Sequence, residues 1–232
     1  MVSKYKDREE AGWVLAEEVR RRARIHIKDK ISKENAVVLA IPDEGIITGY
    51  AFAKELGLKM NLIVVGKLRV PGTDIGIGSI TIDGTNVLND AMINKYRLTE
   101  DKIDEIGRNE VNKMINRLET YEIAQINLES LKDKYIIIVD EGAETGYSVI
   151  GAIKSINLIT IPKIIVVAIP TASFNAIMNI NRYTQHIVCP RIIDSFSFQV
   201  RDSYEHYHKL DEKTVLKYIE KIKNENILYT TE

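Results

Sequence analysis

Two adjacent carboxylates, Asp140 and Glu141, stand directly after the apolar run 136–139. A short run of β-branched residues predicts a buried strand, so both acids would lie at the carboxyl end of that strand. Carboxylates at such an edge can accept hydrogen bonds from sugar hydroxyls or bind a Mg²⁺ ion. The pair therefore indicates a polyhydroxylated or metal-bound ligand.

The segment that follows has the composition of an anion cradle. Gly142 and Gly146 permit a tight turn, and Thr145 and Ser148 add hydroxyls beside the free N–H groups of the next helix. Phosphate is the ligand that such a site favours, and a ribose 5-phosphate carries both a phosphate and sugar hydroxyls. A plainer interpretation stays open, in which the acids only occupy a turn and Thr145 only caps the helix.

Apolar runs and helical patterns alternate along much of the chain. The runs 36–41, 62–65, 135–139, 163–169 and 186–188 are each apolar on both faces, and most are followed by a helical pattern. Strands of this kind predict an α/β fold with a mainly parallel sheet flanked by helices. Ligands in such folds bind beyond the carboxyl ends of the strands.

The region between the two halves of the chain does not follow this alternation. Short alternating strands at 77–82 and 86–88 predict a small hairpin or hood, and Thr99 can cap a long polar helix that ends near Ile123. We expect one domain over 1–232, with a core at about 36–190 and an insertion at about 67–130. An amphipathic helix is predicted over 7–24, and the charged segment 211–223 is predicted to form a closing helix.

The overall composition excludes several classes of protein. The net charge of -1 gives no long-range attraction to nucleic acid or to a membrane surface, and no apolar stretch is of signal-peptide or membrane-spanning type. Cys189 is the single cysteine, so an intrachain disulfide and a cysteine-rich zinc site are both excluded. These features lead us to expect a cytoplasmic protein.

The segment 136–149 resembles the phosphoribosyl pyrophosphate signature of the type I phosphoribosyltransferases: a hydrophobic strand, two acids, a short spacer, then Thr-Gly-x-Ser. The resemblance extends over about 36–202 and is closest to a group of predicted phosphoribosyltransferases whose acceptor is undefined. Lys67-Leu68, Pro71-Gly72 and Arg201-Asp202 also look like that group. The fold, Mg²⁺ dependence and homodimeric state of the family are thereby implied for this chain.

The resemblance also implies roles for individual residues. Asp140 and Glu141 would hold the ribose hydroxyls and assist Mg²⁺ during transfer to a nitrogenous base, a purine or a pyrimidine. The 5-phosphate would be wrapped by the segment of Gly142, Ala143, Glu144, Thr145, Gly146, Tyr147 and Ser148. Pyrophosphate would contact Asp43, Glu44, Gly45, Lys67 and Arg69, with Lys67 stabilising it as it departs.

One departure from the family pattern concerns the predicted pyrophosphate loop. Asp43 and Glu44 stand where the family usually carries an arginine and a glycine. Unit charges at 4 Å interact by about 1 kcal/mol in water and about 4 kcal/mol near a protein surface, so two acids would repel pyrophosphate strongly. Either extra Mg²⁺ shields the loop, or the side chains face solvent or cap the next helix, or binding is impaired.

The second departure is Glu144, which aligns with an aspartate that purine phosphoribosyltransferases carry before Thr-Gly. By that likeness Glu144 would face the acceptor and take its proton, against the alternative of a solvent-facing loop acid. Two other function classes stay open. One is a non-catalytic sensor of phosphoribosyl pyrophosphate or nucleotide, which the acidic loop favours, and the other is a Mg²⁺-dependent phosphohydrolase that uses Asp140. The role of His206 and His208, which could bind a divalent ion, is undetermined.

Overall fold

The computed structural model describes residues 4–26, 31–123, 125–195 and 197–230. Strands and helices alternate in it along most of the chain. In chain order the elements are α1 (Arg8–His26), β1 (Ala36–Ala40), α2 (Gly45–Leu56), β2 (Lys59–Leu62), β3 (Val65–Arg69), β4 (Gly76–Thr81), β5 (Asn86–Leu88), α3 (Asp90–Lys95), α4 (Glu100–Tyr121), β6 (Tyr135–Val139), α5 (Tyr147–Ile159), β7 (Ile164–Ala168), β8 (Thr171–Ser173), α6 (Phe174–Ile180), β9 (Ile187–Val188), β10 (Arg191–Ile193) and α7 (Glu212–Asn224).

A five-stranded parallel sheet forms the centre of the fold, in the order β2-β1-β6-β7-β9. Strand β6 occupies the middle position, where Val139 pairs with Ala40 of β1 and with Ala168 of β7. The predicted α/β fold, with a mainly parallel sheet between helices, is confirmed.

The two faces of β6 are buried against different sets of helices, because successive side chains of a strand point to opposite faces. Ile137 and Val139 pack in a cluster with residues of α1, α2 and α7. Ile136 and Ile138 pack in a second cluster with residues of α5 and α6. The two clusters hold β6 rigidly, so the residues that follow it start from a fixed position.

A separate three-stranded antiparallel sheet, β3-β4-β5, forms a hood with α4 packed against it. Gly66 lets α4 approach, since a Cβ at that position would lie 2.4 Å from Cγ of Glu110. Gly151 of α5 makes similar room for Ser79 of β4. The hood thus lies beside the start of α5, the helix that follows β6.

One predicted strand was misplaced. The second parallel strand is β2, Lys59–Leu62, whereas Leu62–Val65 spans the end of β2 and the start of the hood strand β3. The sequence of β2 is not continuously apolar, because it contains Asn61. That buried side chain is accommodated because its amide donates to the Tyr229 carbonyl at 2.8 Å and its oxygen accepts from the Leu62 N–H.

Helix α3 and the strands β3, β8 and β10 were not predicted. Helix α3 begins where the Asn89 side chain accepts a hydrogen bond from the N–H of Met92, and β8 pairs in parallel with β10 beyond the end of the central sheet. The predicted capping of α4 by Thr99 is confirmed, because its hydroxyl accepts from the N–H of Lys102. Within the described ranges, no helix combines the length and apolar character that crossing a bilayer requires.

Candidate active site

Asp140 and Glu141 lie at the carboxyl edge of the central sheet, immediately after β6. The loop after β1 runs beside them, and the N–H of Ile41 donates to the Val139 carbonyl at 3.0 Å. A Cβ on Gly45 would lie 2.9 Å from Oδ1 of Asp140, so only glycine allows α2 to begin this close to the carboxylate. The two loops that the sequence assigned to one ligand are therefore adjacent.

The loop after Glu141 is shaped by hydrogen bonds that fix its carbonyl groups. The Ser173 hydroxyl donates to the Glu144 carbonyl at 2.7 Å, and the Asn179 amide donates to the Thr145 carbonyl at 3.1 Å. Gly146 precedes α5 with φ of 79°, a left-handed conformation that disfavours other residues. Its N–H and those of the first turn of α5 have no intrahelical partner. Gly146, Tyr147 and Ser148 line the pocket, so this turn is a candidate anion cradle.

The acid pair is almost entirely buried, with Asp140 7% and Glu141 6% exposed. Burial raises the pKa of the Asp140 carboxyl well above its ordinary range, and the charge of Glu141 raises it further while Lys67 opposes the shift. An Asp140 oxygen accepts from the N–H of Glu141 at 2.8 Å. The hydroxyl of Tyr204 donates to the Glu141 carbonyl. A cation or a set of sugar hydroxyls would relieve the concentrated negative charge.

Two basic side chains of the hood strand β3 line the cleft. Along β3, Leu68 is buried in the hood core while Lys67 and Arg69 are exposed on the opposite face. Both line the same pockets as Asp140 and Glu141. The alternation of a single strand therefore places two positive side chains opposite the acid pair.

The cleft has two adjoining compartments. The first, of about 240 Å³, is enclosed by the cradle, and its lining includes Asp140, Glu141, Gly142, Ala143, Glu144, Thr145, Gly146, Tyr147 and Ser148. The second, of about 450 Å³, extends over the loop of Asp43 and Glu44. Both are lined by Lys67, Arg69, Asp140, Glu141, Ser148 and Tyr207. Of the residues that the family resemblance assigned to a ligand, all but Gly45 thus line one of these two compartments, and Gly45 packs against Asp140.

Glu44 does not face open solvent, and it makes no side-chain cap for α2. Its carboxylate forms a hydrogen-bonded ion pair with Arg8 of α1, which is only 4% exposed. It also accepts from the N–H of Leu210 at 3.3 Å. Burial raises the pKa of Glu44, and the Arg8 charge opposes that shift. Much of the negative charge expected to repel pyrophosphate is therefore balanced inside the protein.

Asp43 is balanced in the same way by helix α4. The hydroxyl of Tyr121 donates to Oδ1 of Asp43, and Nε of Arg117 lies 3.5 Å from the same oxygen. Arg117 and Tyr121 are four residues apart, so they project from one face of α4. The Pro42–Asp43 peptide bond is cis. The acidic loop is thus held from both sides by groups that are distant in sequence.

From the C-terminal segment, Tyr207 lines both compartments of the cleft, and its ring packs near that of the buried Tyr204. Tyr207 lies over the Arg8 guanidinium, with 4.3 Å between the guanidinium carbon and the ring centroid, and its own ring is 5.7 Å from that of Tyr204. Burial and the charge of Glu141 raise the pKa of Tyr207 to about 12. Its hydroxyl therefore remains a hydrogen-bond donor at neutral pH.

Glu144 lies at the exposed rim of the first compartment. One oxygen of its carboxylate accepts from the N–H of Val200 at 3.1 Å. This contact orients the side chain toward the short 3₁₀ helix Val200–Ser203. The predicted role of Glu144 toward an acceptor stays a prediction.

The donor set at the acid pair fits Mg²⁺. In the described part of the chain, no group of three or more histidine, cysteine, aspartate or glutamate side chains is arranged to hold a metal ion, His206 and His208 included. Mg²⁺ is commonly held by one or two carboxylates together with ligand phosphates and water. Asp140 and Glu141, buried beside an anion cradle, can supply the protein's share of such a site.

Sequence reasoning missed three cations near the cleft: Arg8, Arg117 and Lys209. Arg117 and Lys209 line the second compartment, and Arg8 lies behind Glu44. Each belongs to a charged stretch with the pattern of a solvated surface. The only local signal was the spacing of Arg117 and Tyr121, which does not identify Asp43 as their partner.

Comparison with known proteins places these features in context. No protein-family model matches the chain. Two curated proteins of Mycobacterium tuberculosis, from strains CDC 1551 and H37Rv and each named "Putative phosphoribosyl transferase", are 25% identical to it over 218 residues. The match covers 94% of this chain and 46% of those proteins, so the chain spans less than half the length of these relatives.

The fold is shared with a solved structure. The crystal structure of TT1426 from Thermus thermophilus superposes with a TM-score of 0.70 at 22% identity, covering 93% of this chain and 97% of that one. The sequence similarity and the parallel-sheet fold agree with the motif at 136–149. The predicted resemblance to the type I phosphoribosyltransferase family is therefore confirmed.

Proposed function

We propose that the chain is a phosphoribosyltransferase, which uses phosphoribosyl pyrophosphate and Mg²⁺ to transfer ribose 5-phosphate to a nitrogenous base. One observation carries the proposal: an anion cradle, a buried carboxylate pair and a row of cations meet in a single cleft. These groups match, in turn, the 5-phosphate, the ribose hydroxyls and the pyrophosphate of that donor.

Each group then has a defined task. The N–H groups at the start of α5 and the Ser148 hydroxyl hold the 5-phosphate, and Asp140 and Glu141 accept hydrogen bonds from the ribose hydroxyls. Lys67 and Arg69 bind pyrophosphate and offset the charge that develops as it departs. Mg²⁺, when bound, neutralises further charge on the phosphates. Catalysis by these residues is mainly placement of the partners and electrostatic stabilisation.

The acceptor in this proposal is a purine or pyrimidine base that approaches from the rim near Glu144. One oxygen of this carboxylate is occupied by the Val200 N–H, and the other can accept a proton from a ring nitrogen. Replacing Glu144 by glutamine keeps the Val200 contact and removes the base. Unchanged turnover of a confirmed acceptor by Glu144→Gln would contradict this role.

The test is to incubate the protein with phosphoribosyl pyrophosphate, Mg²⁺ and a panel of purine and pyrimidine bases. We expect pyrophosphate and a nucleotide to appear together, and only with a matching base. Glu141→Gln should lower the rate by about 10- to 100-fold, since it removes a charged hydrogen-bond acceptor. Glu105→Gln, on the exposed face of α4 and paired with Lys102, is the matched control and should keep full activity.

Other outcomes would overturn the proposal in favour of a named alternative. Binding of phosphoribosyl pyrophosphate without pyrophosphate release, across all bases, would identify a sensor. Release of inorganic phosphate that depends on Asp140 would identify a phosphohydrolase.

A further inference from the structure

We propose that Arg117, on helix α4, binds the pyrophosphate group in place of the arginine that the acidic loop lacks. This inference rests on the proposed function and names a residue that lies outside the sequence motif 136–149. It begins from the geometry of the second compartment, where Arg117 lines the wall together with Lys67 and Arg69.

Arg117 is held in a defined orientation. Its Nε lies 3.5 Å from Oδ1 of Asp43, and its side chain is 29% exposed, so it is neither fully buried nor free in solvent. Tyr121, one turn later on α4, donates to the same carboxylate oxygen and fixes it. Within the described residues no hydrogen bond engages the terminal amino groups of Arg117, so these donors remain for a ligand.

The position of α4 is fixed independently of this contact. Glu110 packs against Gly66 of β3, at a distance that only glycine permits, and Met114 is fully buried in the hood core. Residues 110, 114, 117 and 121 follow helical spacing along one face of α4. The same face that packs on the hood therefore directs Arg117 into the cleft.

The charges lining the second compartment support an anionic ligand there. Two of its acids are balanced from elsewhere, because Glu44 pairs with Arg8 and Glu110 pairs with Lys113 at 3.1 Å. The remaining acids are Asp43, Asp140 and Glu141, which face the cations Lys67, Arg69, Arg117 and Lys209. With all three of these acids ionised, the positive and negative charges of this wall would be equal in number without Arg117. Arg117 thus makes the compartment attractive to a polyanion.

The guanidinium group suits this task better than the lysines of the wall. Arginine presents a planar fork of donors that matches two phosphate oxygens, whereas lysine acts as a single point charge. Asp43 then serves as a positioning residue that orients Arg117. The acidic loop carries no cation of its own, and the cation beside it is Arg117 of α4.

The experiment compares three ligands on the same variants by isothermal titration calorimetry, at one fixed Mg²⁺ concentration. The ligands are phosphoribosyl pyrophosphate, pyrophosphate and ribose 5-phosphate. Arg117→Ala should weaken binding of the first two by about 10- to 100-fold, the loss expected for a charge-assisted hydrogen bond, and should change ribose 5-phosphate binding less than about twofold. Arg117→Lys, which keeps the charge and loses the fork, should give an intermediate loss for the first two ligands.

The matched control is Arg108→Ala, which removes an exposed arginine from the same helix outside the cleft. It should leave all three affinities unchanged. An equal loss for all three ligands in Arg117→Ala would mean that Arg117 only maintains structure, and would overturn the inference. Full affinity of Arg117→Ala for phosphoribosyl pyrophosphate would overturn it as well, while the proposed function would stand. A wild-type chain that binds none of the ligands would instead overturn the proposed function and this inference together.

Discussion

Replacing Glu44 by glutamine should destabilise the protein far more than breaking an ion pair at its surface. Arg8 is 4% exposed and Glu44 has a side chain that is 23% exposed, so their pair is largely cut off from water. Among the described residues the Arg8 Nε has no hydrogen-bond partner, and the guanidinium cannot lose its proton. Glu44→Gln therefore leaves a permanent buried charge without its counterion.

The magnitude follows from the burial of the two partners. Removing one member of a buried pair costs about 3–5 kcal/mol, and the partial exposure of Glu44 favours the lower end, about 3 kcal/mol. For a chain of 232 residues this corresponds to a fall in melting temperature of about 6–12 °C. Arg8→Met should cost less, about 1–2 kcal/mol, because the carboxylate left behind can hydrate or take up a proton.

Urea unfolding followed by far-ultraviolet circular dichroism measures these losses. A matched control joins α1 to α2, where Arg20 and Glu55 pair at 2.6 Å with side chains 40% and 43% exposed. Glu55→Gln should cost less than about 1 kcal/mol. The double variant Arg8→Met with Glu44→Gln should recover most of the lost stability. If Glu44→Gln cost no more than Glu55→Gln, the claim that the pair is buried and coupled would be refuted.

Two further predictions concern the ligand cleft. The raised pKa of Asp140 means that its stabilising contribution is present below the unfolded pKa, about 4, and is lost as the pH rises through the folded value. Asp140→Asn should therefore raise the melting temperature, relative to wild type, more at about pH 8 than at about pH 4 in metal-free buffer; an equal difference at both would contradict this. Gly146→Ala should cost about 1–3 kcal/mol and weaken ribose 5-phosphate binding, because its φ is 79° and a Cβ would lie 2.9 Å from Ile180. Gly84→Ala, with a similar φ of 87° and open space around it, is the control, and calorimetry should show no change in its ligand affinity.

The acidic loop shows how a departure from a family pattern can be offset by the rest of the fold. Asp43 and Glu44 suggested impaired pyrophosphate binding when only neighbouring residues were considered. In the folded protein each has a cation, supplied by α4 and α1 respectively. The acidic loop is therefore a weaker argument against phosphoribosyl transfer, because the charges of Asp43 and Glu44 are compensated.

The parallel-sheet fold and the motif of 136–149 could be predicted from the sequence, because strand periodicity, glycine positions and adjacent acids are local features. The position of β2 could not, since Asn61 interrupts an apolar pattern and is satisfied only by a distant carbonyl, that of Tyr229. The partners of the acidic loop likewise depend on tertiary packing. Arg8 and Arg117 sit in charged helices whose local pattern is that of solvated surface. Only the packing of α1 and α4 brings them to one loop, because an ion pair between distant residues leaves no periodicity in the chain.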